Sequence, residues 1–125
     1  MSSKAAVRQE HNVAIVDLTG RITLGEATGM VRNTIKDLLN AGQKNILLNM
    51  KDVTYMDSAG LGELVGAYAS VTNAGGTIKL AHPQGRVKDL LTITKLYTVF
   101  AAFDDERQAV SSFAGEATAG GKLFL

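Results

Sequence analysis

The stretch VTYMDSAGLGELV, residues 53–65, places the polar pair Asp57-Ser58 between an apolar segment and two glycines. Four roles for Ser58 are compatible with this position: a catalytic nucleophile, part of a phosphate-binding loop, a helix cap, or the target of another enzyme. Each role requires different neighbours, so the surrounding sequence can be used to distinguish among them.

Strands and helices are predicted to alternate on both sides of this stretch. Strands are predicted at residues 5–9, 12–18, 46–50, 77–82 and 99–101. Helices are predicted at about residues 25–40, 59–73 and 84–92, and a last helix follows Asp104-Asp105. The order ββαβαβαβα predicts an α/β fold with a mostly parallel sheet of about five strands, about four helices and right-handed crossovers.

These predictions depend on hydrophobic periodicity and on turn residues. Two helices have apolar faces with spacings of three and four residues, namely Ala27, Val31, Thr34, Ile35 and Leu38, and Leu61, Leu64, Val65, Tyr68 and Val71. The continuous apolar run at 46–50 is typical of a strand covered on both faces. Gly42 and Gly75-Gly76 are expected to end the two helices, and Glu10-His11-Asn12 is expected to connect the first two strands.

The composition indicates one globular domain, which we assign to residues 1–114, followed by a tail at 115–125 that we expect to be mobile. Hydrophobic residues make up 46%, charged residues 20%, and the net charge is +1. Because Lys and Arg are not clustered, nucleic acid is not expected as a partner. Cysteine is absent, and no apolar segment reaches the roughly 20 residues of a membrane helix, so we expect a cytoplasmic protein without membrane insertion.

Two enzyme classes fit the glycines and the serine poorly. A nucleophile elbow has glycine two residues before its serine, and Met56 occupies that position. Only His11 and His82 could act as a base for Ser58. The glycines of the helix have GxGxxxG rather than GxGxxG spacing, and no Walker lysine follows, so nucleotide binding is not expected as the primary function.

Metal binding is not expected either. The two histidines are isolated, and Asp17, Asp52 and Asp57 do not have a recognised ligand spacing. We therefore predict neither a metal nor a cofactor.

A structural role for Asp57 and Ser58 is also plausible. Both residues directly precede a predicted helix, where either side chain can accept hydrogen bonds from free backbone N–H groups. Capping leaves Gly60, Gly62 and Gly66 unexplained, since each glycine costs a helix about 1 kcal/mol relative to alanine. Either the sheet or a partner must approach this helix closely, and the residues alone do not decide between the two.

The segment ILLNMKDVTYMDSAGLGEL, residues 46–64, resembles the signature of STAS domains, the family of anti-sigma factor antagonists. In that family, an apolar strand and a short turn with an aromatic residue precede Asp-Ser-Ser/Ala-Gly-Leu-Gly, which opens a helix. Weaker matches occur in the expected order at residues 18–22, 75–80 and 96–100. The resemblance covers about residues 5–113 and implies a STAS-type mixed, mostly parallel sheet.

The resemblance implies a regulatory switch and not an enzyme. In partner-switching members, the unphosphorylated domain binds an anti-sigma factor that is a serine kinase, and a sigma factor is thereby freed. Phosphorylation of the serine that aligns with Ser58 releases the partner, and a PP2C-type phosphatase reverses the modification. The alternative is a STAS subunit of a lipid transporter or of a sensory assembly, without phosphorylation. The oligomeric state is left open.

The resemblance also implies roles for individual residues. Ser58 is the expected phosphate acceptor, and Asp57 is expected to orient it and to cap the helix. The expected partner surface consists of Asp57, Ser58, Ala59, Gly60, Leu61, Gly62, Glu63 and Gly66, together with Arg21 and Thr23. Many phosphorylated members have Asp at the position of Thr23, which we interpret as a turn residue, with a second phosphate acceptor as the alternative.

Overall fold

The computed structural model describes the backbone of residues 3–122 and the side chains of residues 3–114. The strands are β1 (Lys4–Glu10), β2 (Val13–Ile22), β3 (Asn45–Met56), β4 (Thr77–Ala81) and β5 (Ala102–Phe103). The helices are α1 (Glu26–Asn40), α2 (Ser58–Asn73), α3 (Gly85–Ile93) and α4 (Glu106–Lys122), with a short 3₁₀ turn at Leu96–Thr98. This element order confirms the predicted α/β architecture.

The five strands form one sheet in the order β1-β2-β3-β4-β5. β1 is antiparallel to β2, and the other three pairs are parallel. The turn between β1 and β2 contains His11, whose φ of 55° is in the left-handed region. The predicted hairpin and the predicted mostly parallel sheet are both confirmed.

Each face of the sheet has its own hydrophobic core. The larger core contains side chains of α1, α2 and α3 packed on alternate residues of the strands, such as Val16, Ile46 and Leu80. The smaller core lies on the opposite face, where Ala109 and Phe113 of α4 pack against Ile15, Leu47 and Ala81. Burial on both faces explains why residues 46–50 form a continuous apolar run.

β2 and β3 extend further than the sequence predicts. We predicted strands ending at residues 18 and 50, whereas β2 ends at Ile22 and β3 at Met56. The second half of β3 contains exposed polar residues, so it lacks the continuous apolar sequence that predicts a buried strand, although Val53 and Met56 are buried. Register shifts after Asp17 and after Gly20 keep the two strands paired up to Ile22 opposite Met56.

The predicted last strand is wrong by three residues. We expected it at 99–101, whereas β5 is Ala102–Phe103. The 3₁₀ turn continues through hydrogen bonds from the Val99 and Phe100 amides to the Leu96 carbonyl, so these residues cannot pair with β4. Phe100 is instead a core residue with 1% exposure.

Helix positions agree with prediction, and one helix face differs in detail. Gly42 and Gly75 have φ of 86° and 82° and follow α1 and α2 as expected. Val65 was predicted to be buried but is 44% exposed, and Ala67 is buried in its place. Of the tail that we expected to be mobile, the backbone of 115–122 belongs to α4, and residues 123–125 lie outside the described residues.

Candidate functional site

Asp57 joins β3 to α2 and holds the neighbouring loop in place. Its Oδ1 accepts a hydrogen bond from the Gly60 N–H at 2.8 Å, which is the capping interaction of α2. Its Oδ2 accepts a hydrogen bond from the Leu24 N–H at 3.1 Å, in the loop between β2 and α1. One carboxylate therefore fixes the start of α2 relative to the adjacent loop.

The same hydrogen bonds keep this carboxylate ionised. The Gly60 N–H, and next the Leu24 N–H, lower the pKa of Asp57 below its ordinary value, because they stabilise only the charged form. An anion at a helix N-terminus is also favoured by the helix dipole. Asp57 is therefore a permanent negative charge beside Ser58 at neutral pH.

Ser58 is the first residue of α2, and its side chain is exposed. Of the polar groups that the structure describes, none forms a hydrogen bond with the Ser58 hydroxyl. Because Asp57 caps the helix, Ser58 is not needed for that role. Its hydroxyl is available to a reagent or an enzyme from outside.

The three glycines of α2 differ in their surroundings. A Cβ on Gly60 would overlap the Ile22 carbonyl oxygen and would lie 2.7 Å from Cγ of Met56. A Cβ on Gly62 or Gly66 would meet no atom within 4 Å. Gly60 is therefore required for packing against the end of β2, whereas no internal contact requires the other two glycines.

Gly62 and Gly66 lie on a groove of about 440 Å³ between α1 and α2. An ion pair crosses one end of it, where Arg32 donates to Glu63 from Nη2 at 2.8 Å and from Nε at 3.2 Å. Glu63, a predicted partner residue, is thus directed toward α1.

A second feature lies where β2 and β3 end. Arg21 pairs in register with Tyr55, and its guanidinium carbon is 4.4 Å from the centre of the Tyr55 ring. The guanidinium carbon of Arg86, in the first turn of α3, is 5.7 Å from the same ring centre. Thr23 lies in the loop that connects β2 to α1, directly after Ile22 and before the turn at Leu24-Gly25.

The structure places Arg21, Thr23 and residues 57–60 around the carboxyl ends of β2 and β3, whereas Gly62, Glu63 and Gly66 line the groove between α1 and α2. Ser58, Gly62 and Gly66 are exposed, Ala59, Leu61 and Glu63 are partly buried, and Gly60 is buried. Three neighbours were not predicted: Leu24, which is 78% exposed, Tyr55 and Arg86. The aromatic residue before Asp57 was a signal for Tyr55, whereas the sequence near Arg86 contained no comparable signal.

A cavity of about 880 Å³ lies at the other end of the sheet. Its lining includes Val13 and Asn45 at the amino ends of β2 and β3, and Val110 of α4. Ser58 follows the carboxyl end of β3. This cavity is therefore separate from the predicted site.

Three further features of the described part of the chain concern metal ligands, His82 and the hydropathy of the helices. Within it, no three His, Asp or Glu side chains are grouped as a metal site. The His82 amide donates to the Phe103 carbonyl at 2.7 Å, which places that residue at the β4–β5 edge. None of the helices in residues 3–122 is long and apolar enough to cross a membrane.

Comparison with family models matches residues 4–109 to the STAS domain. The anti-sigma F factor antagonist of Paenibacillus polymyxa is 29% identical over 108 residues, which cover 84% of this chain and 92% of that protein. The anti-sigma-B factor antagonist of Bacillus subtilis is 34% identical over 96 residues, which cover 77% of this chain and 86% of that protein.

A solved structure has the same fold. The crystal structure of a Thermotoga maritima protein, named as a candidate anti-sigma factor antagonist, has a TM-score of 0.80 and 25% sequence identity. The superposition covers 86% of this chain and 92% of the Thermotoga protein.

Proposed function

Because this chain belongs to the STAS domain family, we propose that it is an anti-sigma factor antagonist controlled by phosphorylation of Ser58. In its unmodified form it binds an anti-sigma factor that is a serine kinase, and a sigma factor is freed. The kinase phosphorylates Ser58 and dissociates, and a PP2C-type phosphatase restores the binding form. The named relatives from Paenibacillus and Bacillus support the general role.

The observation that carries this proposal is the division of roles between Asp57 and Ser58. Asp57 accepts the capping hydrogen bond from Gly60, and Ser58 is exposed beside it. A hydroxyl that caps a helix would have to leave its backbone partner before reacting, and among the described residues the Ser58 hydroxyl has no such partner. The site therefore offers a kinase an accessible acceptor without disturbing the fold.

Electrostatics explains how a phosphate could act as a switch here. A phosphoserine carries about −1.5 to −2 charges at neutral pH and three acceptor oxygens. At the first residue of α2 the helix dipole favours this charge, so the domain is expected to stay folded. In a partner interface the same charge, next to ionised Asp57, adds repulsion and a desolvation cost.

The direct test uses each anti-sigma factor kinase encoded in the same genome. The protein is incubated with a purified kinase and ATP, modified residues are mapped by mass spectrometry, and binding is measured by calorimetry before and after. We expect stoichiometric phosphate on Ser58 and loss of binding. Thr23→Val tests the alternative acceptor, and the phosphate should still map to Ser58 in this variant.

Ser58→Ala should remain bound to the kinase in the presence of ATP. Its free energy of unfolding should stay within about 0.5 kcal/mol of wild type, because Asp57 and not Ser58 caps α2. A Ser58→Ala protein that folds but no longer binds would make the serine a contact residue and not a switch. Absence of phosphorylation by every such kinase, with stable copurification of a transporter subunit, would favour the alternative STAS role.

A further inference from the structure

Two arginines from different elements share one aromatic ring at the site. Arg21 is in the last part of β2, Tyr55 is its neighbour in β3, and Arg86 is in the first turn of α3. The guanidinium carbons lie 4.4 and 5.7 Å from the ring centre, within the roughly 6 Å range of cation–π contacts. Both arginine side chains are exposed, and Tyr55 is partly buried. We call these three residues the arginine–tyrosine cluster.

Arg21 and Arg86 differ from Arg8 and Arg32 in having no carboxylate partner among the described residues. Arg8 and Arg32 both have carboxylate partners within 3.2 Å. Among the side chains of residues 3–114, no carboxylate forms an ion pair with Arg21 or Arg86. The two cations of the cluster therefore lack the neutralising partner that Arg8 and Arg32 have.

A cation–π contact holds a guanidinium over an aromatic ring without pairing its N–H donors with an acceptor. These donors match the two oxygens of a carboxylate. Two like charges on one ring also repel each other, and a bound anion would reduce that repulsion. The geometry thus favours an anionic ligand.

The cluster is close along the chain to Asp57, Ser58 and Leu24, which we call the Ser58 surface. Tyr55 precedes Ser58 by three residues, and Arg21 precedes Leu24 by three residues. Leu24 donates to Asp57, so both chain segments run from the cluster to the site. Three residues of extended chain span roughly 10 Å, which is well within the diameter of a protein interface.

We propose that the arginine–tyrosine cluster binds aspartate or glutamate side chains of the protein that docks on the Ser58 surface. This inference rests on the proposed function, since it assigns a chemistry to that partner. Tyrosine and arginine are common at the energetic centre of interfaces. A phosphate on Ser58 would repel the same acidic segment, so the switch and the docking contact act on one part of the partner.

The first test measures affinity for the anti-sigma factor kinase that the wild-type protein binds. Arg21→Gln and Arg86→Gln should each weaken binding about 10-fold, which is more than most interface residues cost when they are truncated. Both variants should also reduce the dependence of affinity on salt concentration. Arg107→Gln, which changes an exposed arginine of α4, is the matched control and should bind like wild type. Thermal unfolding of each variant verifies that the fold is intact.

A second test does not require the kinase. The probe is a hexaglutamate peptide with blocked ends, titrated at low salt into protein labelled with nitrogen-15. The Nε–H signals of Arg21 and Arg86 should shift, and that of Arg107 should not. Equal shifts at all three arginines would mean non-specific attraction and would overturn the inference.

The outcomes separate the two proposals. If Arg21→Gln and Arg86→Gln bind the kinase like wild type while phosphorylation of Ser58 still releases it, the cluster inference is wrong and the proposed function stands. If the wild-type protein binds no kinase, the proposed function fails, and the peptide titration alone decides on the cluster. In a third outcome, the phosphoserine pKa falls in the wild-type protein but not in the arginine variants, and the variants keep wild-type affinity for the kinase. The arginines would then bind the phosphate, and the inference would be wrong.

Discussion

At the level of single residues, the Asp57 carboxylate connects the start of α2 to the loop before α1. Its two oxygens receive hydrogen bonds from Gly60 and Leu24, so it cannot move without releasing one of them. Among the described residues, the adjacent Ser58 hydroxyl forms no hydrogen bond. Asp57 therefore holds the backbone at Ser58 in place, and the hydroxyl itself stays unoccupied.

Asp57 should contribute to the dependence of stability on pH. Its folded pKa is below the unfolded value of about 3.9. The ionised form therefore stabilises the fold above that value, and the contribution is lost as pH falls through the folded pKa. In Asp57→Asn, urea unfolding between pH 7 and pH 3 should show a smaller acid-induced loss of stability. An unchanged pH dependence would mean that Asp57 does not titrate as described.

Gly60 and Gly62 should respond to alanine in opposite directions. Gly60→Ala should lower the free energy of unfolding by about 1–3 kcal/mol, because its Cβ meets the Ile22 carbonyl and Met56. Gly62→Ala should raise it by up to about 1 kcal/mol, since alanine favours a helix and the space is open. Urea unfolding of both variants measures the difference. Similar changes in both would contradict the described packing.

At the level of elements, Arg8 links β1, β2 and α4. It donates to Asp17 from Nε at 2.6 Å and to Glu106 from Nη2 at 2.6 Å. Asn49 of β3 also donates to Asp17, at 2.7 Å. The hydrogen bond from Arg8 has the largest effect on the pKa of Asp17 and lowers it. Burial raises this pKa and the hydrogen bond from Asn49 lowers it, so that the pKa lies below its ordinary value. These contacts attach α4 to the face of the sheet opposite α1 and α2.

Removal of this contact should loosen α4 more than the rest of the protein. Arg8→Met should lower the free energy of unfolding by about 1 kcal/mol or less, because the Arg8 side chain is 41% exposed and water screens the ion pairs. Hydrogen exchange should show a greater loss of amide protection in α4 than in α2. The control variant, Arg107→Met, removes an exposed arginine of α4 and should leave amide protection in α4 unchanged. Equal loss in both helices would mean that Arg8 supports the whole fold.

For the molecule as a whole, the larger core extends from α1 to the loop before β5. Phe100 lies at that end of the core, with 1% exposure, and its ring packs edge-on against Tyr68 with centres 5.5 Å apart. Phe100 thus links α2 to the loop before β5. Packing of this kind makes unfolding cooperative, because α1, α2 and α3 share this core and none of them can leave without exposing it.

Phe100→Ala should cost about 3–5 kcal/mol of unfolding free energy, through lost burial and the cavity left behind. The neighbouring Val99 is 40% exposed, so Val99→Ala should cost about 0.5 kcal/mol or less. Chemical denaturation followed by circular dichroism compares the two variants. A small effect of Phe100→Ala would show that the loop is not part of the cooperative core.

Helices, turns and the order of elements could be predicted from local patterns. The spacing of Ala27, Val31 and Ile35 identifies one face of α1, and Gly42 and Gly75 mark positive-φ positions after helices. The alternation of strands and helices then leaves few topologies for the chain. The family followed from the block at 57–62, because its residues satisfy a local geometry: a cap, a close approach and a helix start.

Contacts between distant segments were decided by the tertiary structure. The three glycines of α2 look alike in sequence, yet only Gly60 meets β2, since helix rotation against the sheet determines which one is covered. The polar second half of β3 is a strand because β2 continues beside it, and Phe100 is buried because the 3₁₀ turn directs it inward. Arg21, Tyr55 and Arg86 meet because strand register and the position of α3 act over long sequence separations, which local periodicity does not encode.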